Sequence, residues 1–453
     1  MTSNPPTARL HPPLRELPRL DTAARALALR VFAHIRHGEL EIIEDGGARH
    51  RFGSMADFPV RARVHVHRST FYRAIAGGSM NGAFSYINGD WDCPDLVSLL
   101  RIATRNLDTL ERLQAAVEPL LRPLRAGREW VRRNNRGRSR ENIAQHYDIG
   151  NDLFSLMLDD TMSYSSAIFE RPDASLHDAS VAKIDRLCRK LDLHPHDHLV
   201  EIGSGWGALA VHAAQAYGCR VTTTTISEEQ HAQATERVLR AGVGDRVTVL
   251  LDDYRDLRGR FTKLVSVEMI EAIGWRSYDT FFRQCSRLLA HDGLAAIQAI
   301  CQPHRTYLAT RGHRTFINTH IFPGGHCPSV EAMLESAGRT GALRLINAED
   351  ITPHYPTTLA VWRDNLLRNQ AQLPPRFDSR FLRTWSLYLS LCEAGFTERR
   401  ITDMQLVLAK PAYRNEHLPD WPGGAEADVS PRLSGASVLL LTQEIAGAEP
   451  ARH

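Results

Sequence analysis

Leu199-Val200-Glu201-Ile202-Gly203-Ser204-Gly205-Trp206-Gly207 places a hydrophobic strand directly before a glycine-rich turn that opens a helix. Glycines at such a turn let the backbone come close to a ligand, and ligands of open α/β sheets sit at the carboxyl ends of the strands. A dinucleotide fingerprint would need Gly-x-Gly-x-x-Gly, but its third place is Ala208. The acidic Glu201 before the glycines suits a cofactor with a positive centre and no pyrophosphate. That description points to S-adenosylmethionine.

Outward from this turn, strands and helices alternate from Asp197 onward. Expected strands are His198–Ile202, Arg220–Thr224, Val247–Leu251, Leu264–Val267 and Leu294–Ile300, with helical stretches between them. This pattern predicts an α/β fold with a parallel, doubly wound sheet. Upstream, Thr22–Arg36 carries apolar residues at helical spacing, Leu40–Glu44 alternates, and Asp45-Gly46-Gly47 makes a turn. Val60–His67 and a helix near Asp95–Leu107 then complete a smaller N-terminal α+β domain. The division is a flexible arm over 1–20, an N-terminal domain over 21–115, a basic linker over 116–140, a catalytic domain over 141–411 and a tail over 412–453.

The chain has 453 residues, more than one ordinary core holds. No apolar run approaches the roughly 20 residues that span a bilayer, and the proline-rich start lacks the apolar stretch of a secretory signal. A cytoplasmic protein is expected. Seven scattered cysteines without a C-x-x-C pair argue against a disulfide framework and a zinc site, so no metal is assigned. Residues 1–140 hold 23 Arg against 14 acidic groups, whereas the remainder is net acidic. Eight of those arginines fall within 122–140, against Glu129 alone. They read either as a solvated linker or as a polybasic surface for anionic lipid; no nucleic-acid-binding motif accompanies them.

Further segments make the reading specific. They are His146-Tyr147-Asp148-Ile149-Gly150-Asn151-Asp152, Thr161-Met162-Ser163-Tyr164-Ser165-Ser166 and Thr225-Ile226-Ser227-Glu228-Glu229-Gln230. Downstream follow Ser266-Val267-Glu268-Met269-Ile270-Glu271, Ile321-Phe322-Pro323-Gly324-Gly325, Tyr355-Pro356-Thr357-Thr358-Leu359, Tyr388–Ala394 and Gln405. Together with the glycine turn, these resemble the cyclopropane-fatty-acyl-phospholipid synthase family, strongly over 140–411 and more loosely over 30–110. The resemblance implies a methyltransferase-type sheet and transfer of a one-carbon unit from S-adenosylmethionine to the double bond of an unsaturated fatty acyl chain. It also implies a cation on that chain, proton removal by a bound bicarbonate, and closure to a cyclopropane. Relatives lacking the N-terminal domain act on carrier-bound chains, so its presence favours a phospholipid substrate. A peripheral position at the inner face of the membrane follows, and the resemblance is compatible with a homodimer.

By position, the resemblance gives the cofactor Tyr164, Ser165, the loop 199–207, the segment 225–230, Tyr254, Arg255 and Val267. Glu271 matches the family's essential acid, Tyr355 its tyrosine, and Ile300 the residue whose backbone helps bind the anion. Ser166 stands where the family has cysteine, Gln298 where it has histidine, and Ala272 where a histidine follows the glutamate. Serine keeps its backbone N–H and glutamine a side-chain donor, so an anion can still be held, but glutamine cannot carry a proton. Loss of the proton from a different carbon would give a methylene- or methyl-branched chain, the alternative product. Cys392 matches a family cysteine once considered catalytic; an alkene reaction needs no sulfur nucleophile, which favours a structural thiol.

Tyr147, Phe154, Phe169, Phe281 and Phe282 are candidate walls of an acyl tunnel, each also readable as core. His146 reads as a lid-ordering donor. Phe84 stands where the family commonly has glutamate, so the domain contact there should differ. A reading of another class, a catalytically silent cofactor- and lipid-binding subunit, is opposed by Glu271, Tyr355 and the glycine turn.

Overall fold

A computed structural model describes residues 19–109 and 150–414. The basic linker, His146, Tyr147 and nearly all of the expected arm and tail lie outside the described residues.

The N-terminal part runs α1 (Arg19–Phe32), β1 (Gly38–Glu44), β2 (Arg49–Ser54), β3 (Arg61–Val66), α2 (Thr70–Ala76), α3 (Ser79–Ile87), β4 (Trp91–Asp92) and α4 (Leu96–Arg105). Its sheet has the order β2-β1-β3-β4, with β1 parallel to β3 and antiparallel to β2. Alternation decides the faces: Leu40 and Ile42 of β1 and Val64 and Val66 of β3 are buried with Phe71 and Tyr72 of α2. Asp95 caps α4 by accepting from the Ser98 N–H.

The C-terminal part begins with α5 (Asn151–Met157), α6 (Leu176–Lys190), β5 (His198–Ile202), α7 (Ala208–Ala216), β6 (Arg220–Thr224), α8 (Glu228–Arg240) and β7 (Val247–Leu250). It continues with β8 (Phe261–Val267), α9 (Tyr278–Leu288), β9 (Leu289–Cys301), α10 (His304–Thr310), a π-helical turn over Ile317–Ile321 and α11 (Val330–Gly341). β10 (Arg344–Asp350), α12 (Tyr355–Arg368), α13 (Ser379–Thr397) and β11 (Thr402–Ala409) complete it. The seven strands lie in the order β10-β11-β9-β8-β5-β6-β7. β5 to β9 pair in parallel, and β11 is antiparallel to both of its neighbours.

All five expected strands of the large sheet are present, along with β10 and β11, which were not expected. The strand order reverses at β5, because β6 and β7 lie to one side and the chain then crosses to β8 on the other. A crevice must open there, beyond the carboxyl ends of β5 and β8. The glycine turn ends β5, and Glu268 follows β8 directly.

The two parts share one apolar cluster. Phe71, Tyr86, Trp91 and Ile102 join Tyr355, Trp362, Trp385 and Phe396 in it. Arg383 of α13 donates to the carbonyls of Tyr86 and Trp91 at 2.6 and 2.7 Å and pairs with Asp92 at 2.6 Å, its guanidinium 4.1 Å from the Tyr86 ring centre. Phe84 packs edge-on to His320, centroids 4.9 Å apart, and near Phe316. An aromatic contact thus stands where a glutamate's would be. All seven cysteines are free, and among the described residues no helix is long and apolar enough to cross a membrane.

Candidate active site

The crevice holds a cavity of about 410 Å³, a size typical of small-molecule sites. One side is the glycine turn, where Gly203, Gly205 and Gly207 have φ of 97°, 48° and 86°. A side chain at Gly207 would stand 3.1 Å from the Ala234 Cα, so that glycine seats α8 against the turn. Tyr164, Ser165, Glu201, Gly203, Ser204, Gly205, Trp206, Ser227, Glu229, Gln230 and Val267 all line the cavity, as do Phe154 and Phe322.

The other expected cofactor residues stand back from it. Leu199, Val200 and Ile202 are buried in the cores on either side of β5. Thr225 donates to Gln230 Oε1 at 2.8 Å and orients it. Ile226 is exposed and Ser227 caps α8, whose first residue is Glu228. Tyr254 packs on Phe281, and Arg255 is paired with Asp253 at 2.6 Å. Of the expected tunnel walls, Phe281 and Phe282 are core residues of α9. Phe169 offers its N–H to His354 outside the cavity lining.

Sequence reasoning missed the centre of the site. Glu268 lies in the cavity wall with φ of 46°, a left-handed conformation that costs a non-glycine residue about 1–2 kcal/mol. Its Oε1 accepts from the Ser166 N–H at 2.9 Å and from Gln298 Nε2 at 2.8 Å, and its Oε2 accepts from the Tyr355 hydroxyl at 2.6 Å. Gln405 donates to Gln298 Oε1 at 3.0 Å, which fixes the amide with its NH₂ toward Glu268. The remaining expected donor, the Ile300 N–H, goes to Glu271 Oε1 at 2.6 Å. Every donor of the expected anion site is therefore engaged by a carboxylate of the chain.

Acids crowd this wall. Burial of its carboxyl, reinforced by the charge of Glu268, pushes Glu271 up to about 8; its Oε2 is buried without a hydrogen bond. Burial and the charges of Glu268 and Glu271 likewise push Asp403 well up; its Oδ2 accepts from Gln298 at 3.1 Å. Glu201 is raised to about 8 by burial and accepts from Thr223 Oγ1 at 2.6 Å. The buried Lys183, also missed, donates to Ser165 at 2.8 Å; desolvation lowers its pKa against the charges of Glu268, Asp403 and Glu201. The Glu229 and Glu268 side chains in the cavity lining suit a cationic ligand.

Phe154, Tyr164, Trp206 and Phe322 supply the aromatic part of the cavity lining. The Tyr355 ring stacks on Phe396 at 4.2 Å, Tyr164 stacks on Trp362 at 5.2 Å, and the hydroxyls of Tyr164 and Tyr388 meet at 2.9 Å. Such π-faces stabilise a cation in a dry site. Burial pushes the Cys392 thiol up to about 12. It stays protonated at neutral pH and offers no nucleophile. His194, His196 and Asp197, whose ligand atoms lie within 4.8 Å of one another at the amino end of β5, take no part in this site.

A parallel sheet reversing at β5, a glycine turn at that point and an acid-lined cavity define an S-adenosylmethionine-dependent methyltransferase. Residues 134–406 match the family model described as mycolic acid cyclopropane synthetase, and the chain belongs to that family. It is 36% identical to tuberculostearic acid methyltransferase of Mycobacterium tuberculosis, over 87% of this chain and 95% of that one. It is 34% identical to cyclopropane-fatty-acyl-phospholipid synthase of Escherichia coli K12, over 77% and 88%. Among solved structures, it resembles a mycolic acid cyclopropane synthase in complex with S-adenosylhomocysteine, with TM-score 0.55 and 32% identity over 60% of this chain and 98% of that one. The family comprises S-adenosylmethionine-dependent enzymes that transfer cyclopropane or methyl carbons to unsaturated lipids.

Proposed function

We propose that this chain methylates a double bond in an unsaturated fatty acyl chain of a phospholipid, that Glu268 takes up the proton released, and that the product is a methylene-branched chain. The observation that carries this reading is the convergence of Ser166, Gln298 and Tyr355 on Glu268 in the cavity wall. The residues present fit S-adenosylmethionine: Gly203, Ser204 and Gly205 offer close backbone, and Glu229 and Glu268 offer negative charge. When bound, it supplies an activated methyl group on a sulfonium.

The alkene's π pair forms the new C–C bond as the S–CH₃ bond breaks, leaving a secondary cation on the neighbouring acyl carbon. An isolated alkene is a weak nucleophile, so positioning and exclusion of water must supply most of the acceleration. Tyr164, Phe154 and Phe322 of the lining offer the cation aromatic faces, and Glu268 balances its charge. A 1,2-hydride shift gives a tertiary cation. A proton then leaves the added methyl carbon for Glu268, and its bonding pair forms the C=CH₂ branch on the acyl chain.

The Glu268 carboxylate takes the place that the resemblance gives to bicarbonate, so no added anion is needed. The tuberculostearic acid methyltransferase, whose match spans 87% of this chain, is named a methyltransferase, which favours a product without a ring. A second reading, direct ring closure without the hydride shift, draws support from the E. coli synthase and from Glu271, Tyr355 and the Ile300 N–H.

Incubation of the purified protein with S-adenosylmethionine and a dioleoyl phospholipid in bicarbonate-free buffer tests the proposal by mass spectrometry. A one-carbon mass gain that takes up hydrogen on catalytic reduction is expected. A gain that resists hydrogen selects the ring, and no gain on any unsaturated lipid overturns both readings.

A further inference from the structure

One face of the N-terminal sheet carries a charge pattern that the fold does not need. By strand register, Glu39 and Glu41 of β1 lie beside Arg61 and Arg63 of β3, while Arg51 and Arg49 of β2 stand opposite Glu41 and Ile43. All six charged side chains point away from the apolar core, because Leu40, Ile42, Ala62 and Val64 alternate with them and are buried.

The glutamates lie low, their side chains 13% and 7% exposed, whereas the four guanidiniums above them are 47–70% exposed. Arg61 meets Glu39 at 2.8 Å and Arg63 meets Glu41 at 2.9 Å; Arg49 and Arg51 stand 3.5–3.9 Å from these carboxylates. Two sunken anions thus hold four cations in two outward rows, about 7 Å apart along each strand and about 10 Å apart across the sheet. Beyond them the face ends at His65 opposite Asp92, which Arg383 and His67 already hold. Solvent meets a cationic surface.

We propose that this face of β2, β1 and β3 is the docking surface for anionic phospholipid headgroups. The inference rests on the reading that the substrate is a membrane phospholipid, and it names the surface through which the enzyme reaches that membrane. Planar guanidiniums match phosphate in two-pronged geometry. Each basic side chain near such a surface strengthens binding about fivefold.

The full chain is tested by co-sedimentation with vesicles of phosphatidylcholine alone and of equimolar phosphatidylglycerol and phosphatidylcholine. The unaltered protein should bind only the anionic vesicles. Arg49→Gln/Arg51→Gln should weaken this roughly 25-fold at unchanged fold, judged by circular dichroism. Turnover on detergent-dispersed substrate should stay within about twofold, because none of these residues lines the cavity. Arg49→Lys/Arg51→Lys, which keeps the charge, should retain most of the binding.

Equal vesicle binding by the glutamine variant overturns the proposal. So does equal loss in the lysine variant, or tighter binding of this face to duplex DNA than to the vesicles. If vesicle binding behaves as expected but no lipid is modified, the functional reading fails and the docking surface stands. If lipid is modified but the glutamine variant binds normally, the reverse holds.

Discussion

In the proposed reaction Glu268 is the residue on which the chemistry turns, and its backbone is unusual. A side chain held at positive φ at the mouth of a parallel strand keeps a strain that its three hydrogen bonds offset. Glu268→Gln keeps the shape and removes the proton acceptor, so turnover should fall by about 10²–10⁴, read as product per enzyme under saturating lipid. Glu268→Gly relieves the strain and empties the donor set; added bicarbonate should then restore part of the activity, whereas the unaltered enzyme should ignore it. No response in the glycine variant would count against the donor set as an anion site. Glu271 gives a pH prediction. Its folded carboxyl is raised to about 8 from an ordinary 4.5, so the folded state favours the proton and loses stability as pH rises between those values. Glu271→Gln should melt with a flatter pH dependence than the unaltered protein over this window. At this scale the sequence showed much of the site, including Glu201, Tyr355 and Gln298. It hid Glu268, because its partners Ser166, Gln298 and Tyr355 come from three distant segments and no spacing along the chain displays their meeting.

The elements were legible where hydrophobic periodicity was strong. The buried strands β5 to β9 read as apolar runs before turns, and the glycine turn announced its own geometry. β2, Arg-His-Arg-Phe-Gly-Ser, was not legible, because its outer face is arginine and its inner face is nearly bare of aliphatics. β10 lies on the edge of the large sheet with most of its residues exposed, so it lacks the apolar run that marks a central strand. α13 ties the two parts together through Arg383, with three hydrogen bonds in a setting that is mostly buried. Arg383→Ala should cost about 2–3 kcal/mol, visible as a lower urea midpoint with the slope unchanged. A normal midpoint would mean that the shared apolar cluster and the Arg101–Glu398 and Arg380–Asn88 contacts suffice to join the parts.

For the molecule as a whole, two regions divide the work: a cationic sheet face turned outward, and an acidic, aromatic-walled cavity at the switch point of a second sheet. The excess of arginine in the first 140 residues was plain from the sequence, but only the strand register shows that four of them share one face. The central claim is that an acyl C=C takes the sulfonium methyl and that the methyl carbon then gives up a proton. Incubation with S-adenosylmethionine carrying a fully deuterated methyl, followed by mass spectrometry of the phospholipid acyl chains, tests it most directly. The account predicts a gain of one carbon retaining two of the three deuterons. Retention of all three, or of none, would contradict it.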